Sequence, residues 1–411
     1  VVRKELCSPA LWGVEFMGRK KVVIKDDRVA AVLRRHPWVL SSSVSMVEPG
    51  IANGEVVDVV SKDGEFLARG IYNKESRIWV RLYTWASDRS LDEDFWREKL
   101  SQAIDLREKL GYLDPEGACR LVFSEGDGLS GLIVDRYGPY LVVQPTALGI
   151  AERLSTFTKL LVQLINPRGV LVRKDPSAAE VEGFSLDSAV AVGEVPEVVT
   201  IQEHGLHHKV DLRSGQKTGF YLDQRENRLA AARYLRGRRV LDLYCYTGGF
   251  SLAALILGKA TSVEGVDSSE RAIRLARETC SEHNLSNASF LEAEVFSLLE
   301  KYVAEGRRYD AIILDPPRFA SRRGQIAEAL RAYHFVNRMA VQLLEPGGIL
   351  ITCSCSGRVT RADFLRVLFG VAEKTGRTLQ VLEQRGAAPD HPVNVFCPET
   401  DYLKCFICRV L

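Results

Sequence analysis

VLDLYCYTGGFSLAALILG, residues 240–258, sets a short apolar run, a two-glycine turn and an apolar run of helical length in immediate succession. A strand that feeds a tight turn and then a helix is the opening unit of a parallel α/β sheet. Gly248 and Gly249 let the backbone turn sharply and let a ligand approach it. Asp242 lies inside the apolar run. The next strand-like run ends on Asp267 in SVEGVDSS, where a carboxylate can accept hydrogen bonds from ribose hydroxyls.

The alternation continues outward from this unit. The pattern predicts strands over 239–245, 261–267, 288–292, 310–314 and 348–352. It predicts helices over 249–258, 269–283, 295–305, 325–344 and 361–374. Residues 378–384 and 402–410 read as strands with no helix-sized segment between them, which fits an antiparallel pair. The expected fold class is therefore α/β: a Rossmann-like, mixed seven-stranded sheet, the layout of class I methyltransferases. The full GxGxxG fingerprint and the GxxxxGK[ST] loop are both absent, and a ligand without a pyrophosphate relaxes the glycine requirement. S-adenosylmethionine (SAM), adenosine joined to an amino acid through a sulfonium, meets that condition; another ligand in an ordinary α/β domain is the alternative. Glu294, after the third strand in FLEAEVF, lies where a residue can meet an adenine.

The 411 residues suffice for two or three domains. Residues 1–85 are rich in short β-type runs with one early helix near 28–35, residues 86–200 are mixed α+β, and residues 201–411 carry the βα alternation. Charge is balanced, 55 Lys+Arg against 53 Asp+Glu, which excludes a global basic field. Residues 1–85 hold a mild excess, 14 Lys+Arg against 10 Asp+Glu. No apolar run reaches the roughly 18–20 residues of a membrane span, and VVRKELCSPALW does not read as a signal peptide. Nine scattered cysteines, an odd number, suit reduced thiols in the cytoplasm better than a disulfide framework. Cys405 and Cys408 form a CxxC, but strand positions three apart point to opposite faces, so no metal is expected there.

Two further stretches carry chemistry. ILDPPRFA, residues 313–320, holds Asp315 at the end of the fourth strand, with two prolines to stop the strand. Methyltransferases acting on exocyclic amines place an aromatic residue after such prolines; here Arg318 stands there. GGILITCSCSGRVT, residues 347–360, ends the fifth strand beside the fourth with Cys353 and Cys355. Carbon 5 of a pyrimidine takes a methyl group only after a thiolate has added to carbon 6, and a carboxylate can hold or protonate the ring near nitrogen 3. Asp315 and one of the cysteines supply those groups; strand-end packing of both cysteines is the alternative.

These residues resemble the large-subunit ribosomal RNA cytosine-C5 methyltransferase I family. RRHPWVLSS and LARGIYNKESRIWVRL resemble its N-terminal PUA domain, an RNA-binding barrel, and SEGDGLSGLIVDRYG resembles its central domain. VDLRSGQKTGFYLDQRENR, VLDLYCYTGGFS, LDPPRFA, SCSG, and DHPV followed by PETDYLK resemble its catalytic part. The resemblance implies SAM as cofactor, large-subunit ribosomal RNA as substrate and partner, and 5-methylcytosine as product. It selects Cys355, in Ser354-Cys355-Ser356-Gly357, as nucleophile and leaves Cys353 as packing. Gln224 and Arg225 resemble a segment that lies across SAM, and Asp315 is expected at both ligands. Glu399 sits where related uracil methyltransferases carry a catalytic glutamate. Arg34, Arg35 and Trp38 are expected to touch RNA phosphate and base. Relatives often look dimeric, so a homodimer is an expectation too. A ribosomal RNA base methyltransferase without a thiol nucleophile and a non-catalytic RNA-binding assembly factor are the competing readings.

Overall fold

The computed structural model describes residues 18–319 and 323–411. Cys7, the N-terminal stretch and Ala320 of ILDPPRFA lie outside the described residues. The chain divides into two compact units, one ending at Arg89 and the other spanning Ser90–Leu411.

In the first unit, six strands form one sheet: Lys21–Ile24, Trp38–Leu40, Val44–Val47, Val56–Val60, Phe66–Tyr72 and Ile78–Thr84. Their β-branched residues alternate inward, and Val22, Ile24, Val57, Val59, Val80 and Leu82 build the core. The helix Asp26–Leu33 follows the first strand and contributes Val32 to that core.

The second unit opens on the helix Glu93–Lys109, followed by a five-stranded sheet that includes the expected hairpin Leu132–Tyr137 and Tyr140–Pro145. A two-stranded ladder, Val198–Glu203 with Leu206–Asp211, leads into the region of βα alternation. There the sheet consists of β1 (Arg239–Leu243), β2 (Ser262–Asp267), β3 (Ala288–Glu292), β4 (Tyr309–Leu314), β5 (Leu344–Ser354), β6 (Leu379–Arg385) and β7 (Lys404–Val410). The helices are α1 (Gly249–Ile256), α2 (Glu270–Glu282), α3 (Val295–Ala304), α4 (Ile326–Leu343) and α5 (Arg361–Thr375). The spatial order is β3-β2-β1-β4-β5-β7-β6. The first five strands are parallel, and β7 runs antiparallel between β5 and β6. The chain crosses back at β1, so the crevice between the carboxyl ends of β1 and β4 is the switch point where ligands bind in open α/β sheets.

Apolar side chains cover both faces of this sheet, as a parallel sheet between helices requires. Leu241, Ile312, Leu350 and Phe406 pack on one face, while Val240, Ile313, Ile351 and Ile407 pack on the other. Cys405 joins the second group and Cys408 the first, so the two thiols of the CxxC lie on opposite faces.

Two of the strand ends that differ from the sequence expectation shape the site. β1 stops at Leu243 rather than 245, because Tyr244 takes a φ of +62° and Tyr246 a φ of +50°, values that leave the strand region. β5 runs on to Ser354, so Cys353 is a strand residue and Cys355 is the first residue beyond it.

Candidate active site

The turn after β1 is a strained one. Two bulky residues, Tyr244 and Tyr246, occupy left-handed backbone conformations that glycine would adopt without cost. Asp267, at the carboxyl end of β2, holds this turn: its carboxylate accepts the Tyr246 N–H and the Ser269 N–H, each at 2.9 Å. Gly248, with a φ of +79°, caps α1. At Gly249 an added Cβ would approach Phe220 and Arg228 to 3.3 Å, so glycine lets these side chains close on the turn. Asp242, buried beneath the turn, accepts from the Ser251 hydroxyl at 2.6 Å. Burial pushes the Asp242 carboxyl up to about 7.

An open cleft lies above this turn, with Tyr221, Arg228, Tyr246, Gly249, Asp267 and Asp315 among its walls. The residues fit SAM. Each Asp267 oxygen accepts one backbone N–H and keeps capacity for a ribose hydroxyl. Asp242 Oδ1, the Tyr244 hydroxyl and Thr247 Oγ1 are buried without a hydrogen-bond partner, which marks polar valences for a ligand or water to complete. A second hollow, at the amino ends of β1 to β3 between Arg239, Ser262 and Asn287, contains neither Asp267 nor Asp315.

The other expected cofactor residues divide. Gln224 donates from Nε2 to Asp315 Oδ1 at 3.0 Å and so reaches the cleft through that carboxylate. Arg225 is turned elsewhere: it donates to the Ala118 carbonyl, stacks 4.4 Å from the Tyr112 ring centroid and neighbours Glu203. Glu294 is exposed and caps α3, accepting the Ser297 N–H at 2.9 Å.

On the neighbouring strands, Asp315 is the first residue after β4, and its N–H points to the Leu243 carbonyl at 3.4 Å. Burial, seconded by the charge of Asp223, pushes its carboxyl up to about 6. Cys355 leaves β5 beside it, and Sγ donates to the Pro316 carbonyl at 3.8 Å. The nucleophile expected from sequence and the carboxylate are thus brought to one edge. Burial drives the Cys355 thiol above its ordinary value, and Lys217 is foremost in opposing that. Cys353 is fully buried in register with Cys405 on β7, and contact with that thiol together with burial drives its own thiol far up.

Several side chains packed around the cleft and the Cys355 loop were not singled out from the sequence. Lys404 is buried on β7 opposite Ser354 and donates to the carbonyls of Ser356 and Tyr402 at 2.7 and 2.8 Å. It therefore clamps the loop that carries Cys355. Burial lowers its ammonium to about 8. The Tyr333 hydroxyl meets Ser356 Oγ at 3.0 Å on the other side of the same loop. Arg228 pairs with buried Glu203 at 2.6 Å, donates to the Tyr221 carbonyl and lies 4.6 Å from the Phe220 ring centroid. Lys217, Tyr221, Arg228, Tyr402 and Lys404 all fall inside the QKTGFYLDQRENR and PETDYLK stretches, which is the signal that could have found them. Glu399 is exposed on a short turn and accepts from Cys397 Sγ at 3.6 Å. In the first unit, Arg34 and Arg35 are exposed, and half-buried Trp38 stands edge-on to His36 at 5.5 Å, outside the core cluster.

Residues 170–398 match a family profile described as S-adenosylmethionine-dependent methyltransferase, and residues 22–85 match a PUA-like domain. A relative from Klebsiella pneumoniae (strain 342), named Ribosomal RNA large subunit methyltransferase I, is 39% identical over 394 residues, covering 95% of this chain and 98% of the relative. The protein of the same name from Enterobacter sp. (strain 638) is 38% identical and covers 95% and 99%. Among solved structures, a candidate methyltransferase complexed with SAH superposes with a TM-score of 0.82 at 24% identity, covering 95% of this chain and 99% of that one. A candidate SAM-dependent methyltransferase from Streptococcus mutans gives the same TM-score at 23% identity, with the same coverage. Both share the fold.

Proposed function

Because the chain belongs to the ribosomal RNA large subunit methyltransferase I family of SAM-dependent enzymes, we propose that it methylates carbon 5 of a cytosine in large-subunit ribosomal RNA through Cys355. The observation that carries this reading is the pairing at the sheet edge. Cys355, the first residue off β5, donates to the carbonyl of Pro316, next to Asp315.

In this reading the Cys355 thiolate adds to carbon 6, forming an S–C6 bond and moving the ring's electron pair toward nitrogen 3 and carbon 5. Asp315 stands where an acid meets nitrogen 3, and a carboxyl raised to about 6 keeps a protonated fraction near neutrality. SAM supplies a sulfonium-bound methyl group, which an enamine-like carbon 5 can take. Loss of the carbon 5 proton to a base then restores the carbon 5–carbon 6 double bond and releases the Cys355 sulfur, and nitrogen 3 returns its proton to Asp315. Asp267 and the Gly248–Gly249 turn hold the cofactor in this account, Gln224 acts on it through Asp315, and Asp242 supports the turn from below. Arg34, Arg35 and Trp38 meet RNA, the arginines at phosphate and the indole at a base.

The test is a trap. A substrate RNA carrying 5-fluorocytosine at the target cannot lose its carbon 5 substituent, so the S–C6 bond persists. Wild-type chain with SAM is expected to form a protein–RNA adduct that survives denaturation, with the RNA attached to Cys355. Cys355→Ala is expected to bind SAM and form no adduct. An adduct of equal yield in Cys355→Ala would sink the assignment.

A further inference from the structure

Lys217 has a place in the site that the chemistry above does not use. It lies in the GQKTG turn with a φ of +49°, a conformation lysine seldom adopts and one held only by surrounding structure. Its Nζ donates to Asp223 Oδ2 at 2.7 Å and sits 4.2 Å from the centroid of the Tyr221 ring, which lines the cleft with Asp315. Asp223 is buried, and the same oxygen accepts the Tyr402 hydroxyl at 2.5 Å. Tyr402 packs on the nucleophile loop, where a Cβ at Gly357 would lie 3.4 Å from the Tyr402 Cβ. The residue after Asp223 is Gln224, which bonds Asp315. One buried carboxylate thus ties an ammonium group to the wall of the loop that carries Cys355.

We propose that Lys217 is the charge partner of the Cys355 nucleophile, with Asp223 and Tyr402 as the positioning residues that hold it there. The proposal rests on the reading of Cys355 as nucleophile. A thiol in a half-buried loop is disfavoured as thiolate, and a fixed cation is the usual remedy. Among the described residues, Lys217, Arg318 and Lys404 are cations that bear on Cys355. Arg318 and Lys217 both reach solvent, but Lys217 is fixed by Asp223 and the Tyr221 ring, and Lys404 is committed to two carbonyls. Asp315 and Asp223 oppose the thiolate, and among the described residues the phenols Tyr221, Tyr333 and Tyr402 also face it. Lys217 is foremost among the groups that favour the charged sulfur. On ionisation the thiol proton goes to solvent, and Lys217 keeps its own.

The experiment reads the thiol without RNA. The full chain is alkylated with iodoacetamide over a pH series, and fragment-ion mass spectrometry assigns the label to Cys355 rather than Cys353. Lys217→Gln removes the charge but keeps an N–H for Asp223, so it guards against misfolding. Lys217→Met removes both, and Lys217→Arg keeps the charge. The alkylation midpoint is expected to move up by about one pH unit or more in the Gln and Met variants and to return toward wild type in the Arg variant. The methyl-transfer profile is expected to shift with it while SAM affinity holds. An unmoved Cys355 midpoint in folded Lys217→Gln overturns the proposal. Because no RNA is present, that outcome is distinct from a wild-type chain that makes no 5-methylcytosine, which would overturn the cytosine reading instead.

Discussion

Cys353 and Cys355 are the same chemical group two positions apart, and the backbone gives them different fates. Cys353 is the penultimate residue of β5, sealed against Cys405, whereas Cys355 has left the strand and reaches the Pro316 carbonyl next to Asp315. The raised carboxyls make a prediction at this scale. Asp242 and Asp315 are both raised by burial from an ordinary value of 3.8, to about 7 and about 6. A raised carboxyl binds its proton more tightly in the folded chain, so its stabilising effect is complete below about pH 4 and is lost as pH rises through the folded value. The cofactor-free chain is expected to lose thermal stability between about pH 4 and pH 7 for this reason. Asp242→Asn keeps an acceptor for Ser251 and removes its share of the loss, about 1.4 kcal/mol for each tenfold gain in proton affinity on folding. Thermal scans at both ends of the window check it: the variant should gain on wild type at the alkaline end, and a constant difference would count against it. The positions of Asp242, Asp315 and Cys355 were legible in the sequence because each belongs to or follows a strand-like run. The raised carboxyls were not, because burial by side chains remote in sequence has no local signature. Arg225 shows the same limit: its neighbours Gln224 and Arg228 reach the cleft, and only tertiary packing against Ala118 and Tyr112 turns it away.

At the scale of the element, the cofactor reading rests on the turn between β1 and α1. Gly248 has a φ of +79°, and an added Cβ would lie 3.2 Å from Ala276 and 3.4 Å from Phe290. Gly248→Ala adds backbone strain of about 1 kcal/mol or more and crowds α2 and β3, with the Asp267-bound turn absorbing the shift. SAM affinity by calorimetry is expected to fall about tenfold or more, following that strain, while the substituted chain stays folded. Unchanged affinity would place the cofactor away from this turn. The periodic βα pattern made the strands and helices readable to within a few residues. The early end of β1 was not readable, because two tyrosines with positive φ contradict their own preferences and only the completed turn holds them.

Across the whole molecule, the first unit has a valine-rich core and an exposed pair of arginines, and the second carries the cleft. If Arg34 and Arg35 contact phosphate, Arg34→Ala/Arg35→Ala weakens RNA binding and flattens its dependence on salt by about one unit of slope for each arginine removed. Filter binding across a salt series reads this, and an unchanged slope removes these arginines from the interface. Methyl transfer to a free nucleoside should not need them. The central claim is that Cys355 serves methyl transfer to carbon 5 of cytosine, and nucleoside mass spectrometry tests it most directly. Unmodified large-subunit ribosomal RNA is incubated with labelled SAM and the chain, then digested and resolved. The expected result is labelled 5-methylcytosine at one position with wild type and none with Cys355→Ala, although the variant still binds SAM. Label on another base, or 5-methylcytosine of equal yield from Cys355→Ala, would contradict the account.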